Sequence, residues 1–378
     1  MNVMIACGGT GGHLFPGLAV AETLLSRGHA VRLLVSEKAV DQVALAALTS
    51  GCGPSGGLAG RLSVKPVSAI GYRGSRQLIH FCGRLAQATR ACTKECAEYA
   101  PDAVLGMGGF TSAPAVLAAR WRRTPTLIHE SNAVPGKANR WIGRLADQVA
   151  VGLADCARFF GQKQAVTVTG TPIRAALRGG RVAGAHAQLG LARERLTVLV
   201  VGGSQGAHAI NEAMACALPW LDDWTERVQF VHLSGAADEE LAREGYDQNG
   251  FAANVMGFCQ QMELAYSAAD LVISRAGAAT LTQIAAFGLP AILIPYPHAA
   301  GDHQTHNARV FERAGAARLI EQRQLAGLHA ATGERLAEAI AGLLGDADRR
   351  QRMAAAAQTL AVRNAEEQIA DLIERYAD

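Results

Sequence analysis

His13 is the first residue placed where it could do chemistry. It closes the run IACGGTGGH, Ile5–His13, in which an apolar stretch stops on four glycines. Glycine reaches φ > 0 and lets a ligand approach the backbone N–H groups closely. Gly8, Gly9, Gly11 and Gly12 would therefore leave the N-terminus of a helix, expected from Leu14, open to an anion or a reacting oxygen. The positive end of that helix disfavours imidazolium, which suits His13 as a general base near neutral pH. The plain alternative is a surface histidine in a tight turn, and position alone leaves both open.

Three further groups carry candidate chemistry. Glu130 and Asn132 lie in HESNAVPGKANR, after the apolar Thr126–His129. The carboxylate can be a base or a helix-capping acid, and the amide can hold a sugar hydroxyl or close its own turn. Arg275, opening RAGAATLTQIAAFGLP, would set a fixed cation at a helix N-terminus, suited to a diphosphate, with a salt bridge as the alternative. In YPHAAGDHQTHNARV, His303, Gln304, His306 and Asn307 begin a helix, and His303 and His306 share one face of it. No thiolate or firm carboxylate geometry accompanies them or His298, so a metal is weighed and set aside.

Strand ends must hold these residues. Val31–Val35 follows as a second strand, and Glu37 just beyond it invites a dinucleotide reading. G-x-G-x-x-G counted from Gly9 puts Leu14 at the third glycine, so that fingerprint fails. Ala103–Met107 ends on Gly108, Gly109 and Phe110. With the ends at Gly8 and Glu130, three strands finish in small or polar turns, and in a parallel sheet such ends line the ligand-binding edge. A long helix is expected from Leu78 to Tyr99, Val166–Thr169 as a strand, and Gly179–Gly180 as a hinge. The pattern then restarts: Val198–Val201 runs into GGSQGAH, 194 residues beyond GGTGGH, followed by strands at Val228–Leu233, Leu271–Ser274 and Ala291–Ile294. Two nucleotide-binding α/β halves facing one another are implied, with a helical stretch from Asp346 returning to the first.

With 378 residues, 49% hydrophobic and 18% charged, the chain can bury two sizeable cores and is unlike a disordered one. Residues 1–170 carry 18 Lys and Arg against 9 Asp and Glu, or +9, and the remainder 18 against 24, or −6. No acid occurs between Gln42 and Lys94, where Arg61, Lys65, Arg73, Arg76, Arg84, Arg90 and Lys94 are basic, so the first half should draw an anionic surface. Beside the apolar stripe of the Leu78–Tyr99 helix, Arg76, Arg84 and Arg90 would attract anionic headgroups by about 1 kcal/mol per cation, with a solvated basic face as the alternative. Eight cysteines form no CxxC pair, and the chain opens on a strand, so a reduced cytosolic protein is expected. The uncharged Ala276–Gly301 is broken by Thr280, Gln283, Pro290, Pro295 and Pro297, which makes it turn, helix, strand and loop rather than a membrane span.

GGTGGHLFPGLAVA, GYRG, LGMGGF, HESNAVPGKANR, GTPIR, GGSQGA, SRAGAATLTQIAAFGLP and PHAAGDHQTHNA occur in one order along essentially the whole chain. That order resembles the MurG family, the UDP-N-acetylglucosamine:N-acetylmuramyl-(pentapeptide) pyrophosphoryl-undecaprenol N-acetylglucosaminyltransferases. The resemblance implies an α/β GT-B fold, two Rossmann-like domains facing across a cleft. An acceptor and membrane-facing domain would span 1–170, joined by a C-terminal helix of about 360–378, and a UDP-GlcNAc domain 171–359. It implies inverting transfer of GlcNAc from UDP-GlcNAc to the 4-hydroxyl of undecaprenyl-pyrophosphoryl-MurNAc-peptide (lipid I to lipid II), giving a β-1,4 bond. The setting would be peptidoglycan synthesis, and through it cell-wall biogenesis, division and shape, at the cytoplasmic face of the plasma membrane. No cofactor, metal or nucleic acid is implied.

By motif, Thr10, Gly11, Gly12 and Asn132 resemble positions near the transferred sugar and acceptor, and Arg174 and Ser204, with Gln205 beside them, diphosphate contacts. Cys259 falls where the uracil is held, Ala278, Ala279, Thr280, Leu281, Thr282 and Gln283 line the nucleotide, and Gln304 meets the GlcNAc hydroxyls. His13 is the expected base, with Glu130 in reserve. Gln283 replaces the usual Glu at the ribose, Ser131 the usual Gln, and Phe110 the common Tyr, changes that bear on affinity more than on reaction type. A UDP-sugar transferase with a soluble acceptor and a non-catalytic UDP-GlcNAc sensor are the alternatives.

Overall fold

The computed structural model describes residues 1–8, 11–36, 60–67, 78–203, 206–325 and 331–377. Glu37, the GYRG loop at 71–74, Arg76, Gly9, Thr10, Ser204 and Gln205 lie outside the described residues. The chain divides into two compact units, Met1–Arg174 with Val362–Asp378, and Ala175–Ala361.

In the first unit seven strands, β1 (Asn2–Ala6), β2 (Ala30–Val35), β3 (Leu62–Pro66), β4 (Ala103–Gly106), β5 (Thr126–Glu130), β6 (Gln148–Val151) and β7 (Val166–Val168), form a parallel sheet in the order β3-β2-β1-β4-β5-β6-β7. Successive residues of a strand face opposite sides, and β1 divides its side chains accordingly. Val3 and Ile5 join Leu14, Leu18 and Ile369, from the helices Gly11–Ser26 and Ala365–Ala377. Met4 and Ala6 join Cys92, Cys96, Ala115 and Ala118, from the helices Leu78–Tyr99 and Gly109–Trp121. Both faces are covered, which explains the continuous apolar runs.

The helical stretch after Asp346 is two helices, Ala347–Thr359 and Ala365–Ala377, parted near Asn364 at φ 56. The second is fastened by Arg27, which pairs with Glu367, with Asp371 at 2.7 Å and with Glu374 at 2.9 Å. Gly170, at φ +75, lets the returning chain pass: a β-carbon there would stand 2.5 Å from that of Val362.

The second unit repeats the plan. Its strands, β8 (Leu196–Val201), β9 (Val228–Leu233), β10 (Ala252–Met256), β11 (Leu271–Ser274), β12 (Ala291–Leu293) and β13 (Ala317–Leu319), run parallel in the order β10-β9-β8-β11-β12-β13. Val198 and Val200 pack with Ile210, Met214, Leu336 and Ile340, and Phe230 lies 4.8 Å from Tyr246 and 5.4 Å from Phe251 by ring centroid. In each sheet the strand order reverses beside the first strand of the unit, between β1 and β4 and between β8 and β11. The carboxyl ends at such a reversal are where open α/β sheets bind ligands.

Candidate active site

At the reversal in the first unit, β1 runs into Cys7 and Gly8, and β4 into Met107, Gly108 and Gly109. Thr111 Oγ1 donates to the Gly8 carbonyl at 2.9 Å, and the Ser112 hydroxyl lies within hydrogen-bond distance of the carbonyls of Gly108 and Ala6, at 2.6 and 3.1 Å, tying the two strand ends together. The first helix starts at Gly11, three residues before the expected Leu14, so Gly11, Gly12 and His13 form its first turn. Gly108 and Gly109 have φ of +104° and +73° and bare α-carbons. A β-carbon on Gly108 would stand 2.9 Å from His13 Cδ2 and Nε2, and one on Gly109 3.2 Å from His13 Nδ1. Two glycines of β4's turn thus seat the half-buried imidazole, and a plain surface histidine would need no such seat.

Glu130, the expected reserve base, is held by its own loop. Its side chain is 4% exposed and accepts four hydrogen bonds. Oε1 takes Asn132 N at 3.0 Å and Asn132 Nδ2 at 2.8 Å, and Oε2 takes Gly136 N at 3.0 Å and Asn139 Nδ2 at 2.9 Å. A carboxylate that accepts four hydrogen bonds ties its loop together. Asn132 correspondingly closes its own turn through this carboxylate.

Two residues beside this loop carried no clear signal in the sequence. His129 is fully buried, its Nε2 donates to the Gly170 carbonyl at 2.9 Å, and burial pushes its pKa down, with a smaller contribution from His13. Asn139 Nδ2 also donates to the His129 carbonyl, while its Oδ1 is buried with no partner among the described residues. Arg174 ends this unit with its guanidinium 5.4 Å from the Phe15 ring, on the helix that carries His13.

In the second unit β8 ends on Gly202 and Gly203, and Gly206 must be glycine: at φ +76 its β-carbon would lie 2.1 Å from the Ser234 carbonyl oxygen. The helix His208–Ala217 follows. Its Asn211 donates to Ser234 O at 2.9 Å and Asp238 Oδ2 at 2.7 Å, and its Oδ1 accepts from His232 Nε2 at 3.0 Å. Tyr246 hydroxyl meets His232 Nδ1 at 3.1 Å, so the imidazole is held neutral, and burial lowers its pKa to about 4. On the surface His208 Nδ1 lies 3.0 Å from Asp238, whose carboxylate raises the His208 pKa.

β11 runs into Arg275. The side chain is 9% exposed and lies over Tyr296, 5.5 Å from its ring. Its Nη1 donates to the carbonyls of Ile294 and Pro295 at 3.1 and 3.2 Å, and burial pushes the guanidinium below its ordinary pKa. Through Nη1 Arg275 braces the end of β12, the carbonyls there satisfying two of its five N–H groups. The helix Ala278–Phe287 begins next, N-capped by Gly277 without a side-chain hydrogen bond, so its first N–H groups are uncapped.

Along this helix the Leu281 side chain is buried, 1% exposed. Thr282 Oγ1 donates back to the Ala278 carbonyl at 2.9 Å, and Gln283 Oε1 accepts from the Tyr266 hydroxyl at 2.8 Å. Ala278, Ala279, Thr280 and Gln283 are half-buried, as is Cys259 in the loop after β10. Asn307, fully buried in the helix His303–Arg313, donates to the Ala276 carbonyl at 3.1 Å and holds that helix against the Arg275–Gly277 turn. Gln304 Oε1 accepts from Tyr296 N at 2.9 Å. His303 Nδ1 turns to the Ala300 carbonyl at 2.9 Å.

Two doubly wound units with glycine turns at their reversals are the plan of the GT-B fold, and the family match makes the chain a glycosyltransferase of that class: residues 3–151 match the glycosyltransferase family 28 N-terminal domain and residues 197–370 its C-terminal domain. A transferase from Syntrophus aciditrophicus, the UDP-N-acetylglucosamine–N-acetylmuramyl-(pentapeptide) pyrophosphoryl-undecaprenol N-acetylglucosamine transferase, is 40% identical over 90% of this chain and 89% of its own length. The crystal structure of Acinetobacter baumannii MurG superimposes with a TM-score of 0.77 at 30% identity, covering 99% of each chain. A putative UDP-N-acetylglucosamine 2-epimerase from Listeria monocytogenes, TM-score 0.69 at 14% identity over 100% and 96% of the two chains, shares the fold alone. The chain belongs to the MurG family of transferases.

Proposed function

We propose that this protein transfers GlcNAc from UDP-GlcNAc to the 4-hydroxyl of the lipid-linked N-acetylmuramyl-peptide, lipid I to lipid II, with inversion at C1. The observation that carries this reading is the seat of His13 on Gly108 and Gly109, at the strand reversal of the first unit. There the imidazole takes the proton of the acceptor hydroxyl as its oxygen bonds to C1, and UDP leaves with the bonding pair. The first unit binds the acceptor, with Thr10, Gly11, Gly12 and Asn132 lining it. The second binds the donor: the segment 202–207, with Ser204 and Gln205, and the start of the helix at Ala278, whose N-cap Gly277 makes no side-chain hydrogen bond, carry the diphosphate charge. Arg174 adds a cation to the diphosphate, Cys259 borders the uracil, and Gln283 meets the ribose. Gln304 offers its NH2 to the GlcNAc hydroxyls while its carbonyl is anchored on Tyr296. Arg275 contributes by fixing the segment that ends at Tyr296.

The acceptor's anchor is met at an anionic membrane, on its cytoplasmic face, and the product serves cell-wall synthesis, division and shape. Among the described residues no helix is long and apolar enough to cross a membrane. A cavity of about 420 Å³ in the first unit is lined by Arg140, Arg144, Arg158 and Lys163, with the Arg140 and Arg158 guanidinium groups over the Phe159 ring. Trp141 and Leu145, interleaved with two of these cations, are 49% and 38% exposed, the pairing of cations and apolar groups that suits a headgroup layer. Release of UDP is measured with the lipid-linked muramyl acceptor, with a soluble aglycone and with none. Release with the first alone supports the proposal; equal release with a soluble aglycone, or binding without release, supports the soluble-acceptor enzyme or the sensor.

A further inference from the structure

Gln283 has its orientation set from a neighbouring helix. Tyr266, in the helix Met262–Ala268, is fully buried, and its hydroxyl donates to Gln283 Oε1 at 2.8 Å. Its ring stacks on Phe287, with centroids 5.4 Å apart and planes inclined by 30°. Gln283 and Phe287 are four residues apart, one above the other on the same helix face, so one tyrosine grips both. Burial pushes the phenol well above its ordinary pKa, which keeps its proton in place as a donor. A carboxamide has one accepting and one donating end, and here the accepting end is engaged.

We propose that Tyr266 is a positioning residue for nucleotide recognition: it holds the Gln283 carbonyl on the protein, so that Gln283 meets the ligand through its NH2 and recognises a ribose hydroxyl as acceptor. The inference rests on the donor-site reading above, in which Gln283 faces the ribose of a uridine diphosphate sugar. Without the phenol the amide can turn over, and its two ends compete for the ligand. A carboxylate at position 283 would keep the bond to Tyr266 yet offer the ribose only acceptors, so the tyrosine makes the amide at this position selective rather than merely polar.

The test uses the full chain and measures the affinity for UDP, 2′-deoxy-UDP and 3′-deoxy-UDP by calorimetry. The proteins compared are the wild type, Tyr266→Phe, Gln283→Ala and the double variant. Phenylalanine keeps the stack on Phe287, so folding is largely spared. Tyr266→Phe is expected to weaken UDP binding about three- to tenfold, the worth of one hydrogen bond. It should narrow the preference for UDP over at least one deoxy analogue, raise KM for UDP-GlcNAc with kcat held within about twofold, and add nothing in the Gln283→Ala background. A purely structural tyrosine would lower the melting temperature while leaving the UDP to deoxy-UDP ratio unchanged; that result, or additive losses in the double variant, overturns the inference. If the wild type binds UDP and Gln283→Ala binds it equally, this inference alone falls. If the wild type binds no UDP, the donor-site reading falls and takes the inference with it.

Discussion

Replacing Glu130 by glutamine exchanges one carboxylate oxygen for an NH2 group at almost no change in size. Each oxygen of Glu130 accepts two N–H groups, so whichever end becomes NH2 faces two donors with a third. Two charge-assisted hydrogen bonds are lost, at about 1.5–3 kcal/mol each, or roughly 3–6 kcal/mol in all before the loop relaxes. For a domain of this size, where a kcal/mol moves the midpoint by about 2–4 °C, the first unit should melt roughly 10 °C lower or more. Differential scanning calorimetry gives that shift, and UDP release at a temperature where the variant is folded gives turnover. The loop Ser131–Gly136 is what the carboxylate holds, so turnover should fall through acceptor KM more than through kcat. A Glu130→Gln protein melting within about 2 °C of wild type, yet losing kcat by orders of magnitude, would refute this reasoning and return the carboxylate to the role of base.

Three further outcomes are expected. Gly108→Ala should displace the imidazole, since its β-carbon would lie 2.9 Å from His13 and its φ is +104°; a stability loss of about 1–3 kcal/mol should come with a much larger loss of kcat, and unchanged turnover would detach His13 from the chemistry. Converting Arg140, Arg144, Arg158 and Lys163 together to glutamine should weaken sedimentation with anionic vesicles about a hundredfold or more at low salt, at about 1 kcal/mol per cation, and unaltered sedimentation would move the membrane contact elsewhere. His232, whose pKa is lowered to about 4, makes folding acid-sensitive with a definite sign. Below about pH 6.5 the unfolded chain takes up a proton the native site refuses, so stability falls by up to roughly 3 kcal/mol on going to pH 4, and above pH 6.5 the group contributes no slope. Urea unfolding of His232→Gln between pH 4 and 7 should be correspondingly flatter, and equal slopes would contradict the assignment.

The strand ends were legible in the sequence because both faces of each sheet are covered. Runs such as Val198–Val201 are apolar throughout and stop on glycines that the backbone needs. Gly108 must have positive φ and admit His13, and Gly206 must pass within touching distance of Ser234. Shorter strands escaped notice: Gln148–Val151 carries a buried polar end, Ala252–Met256 is half-exposed at a sheet edge, and Ala317–Leu319 is three residues long. Side-chain direction was not legible at all. Arg275 and Glu130 occupy positions where free charge would serve catalysis, but carbonyls 19 and 20 residues downstream hold the first and a loop of N–H groups holds the second. His129, Asn139 and Tyr266 act through partners distant in sequence or through a neighbouring helix, and no local spacing announces such a contact.

The most direct measurement follows the C1 carbon of the sugar by NMR, using UDP-GlcNAc labelled there, the full chain and the lipid-linked muramyl acceptor. Transfer with inversion predicts that the α-linked signal of the donor gives way to a β-linked disaccharide signal, with one UDP released per sugar moved, only when acceptor is present. Conversion without acceptor, to a C2 epimer or to free sugar, or an unchanged donor signal in the presence of acceptor, would contradict it.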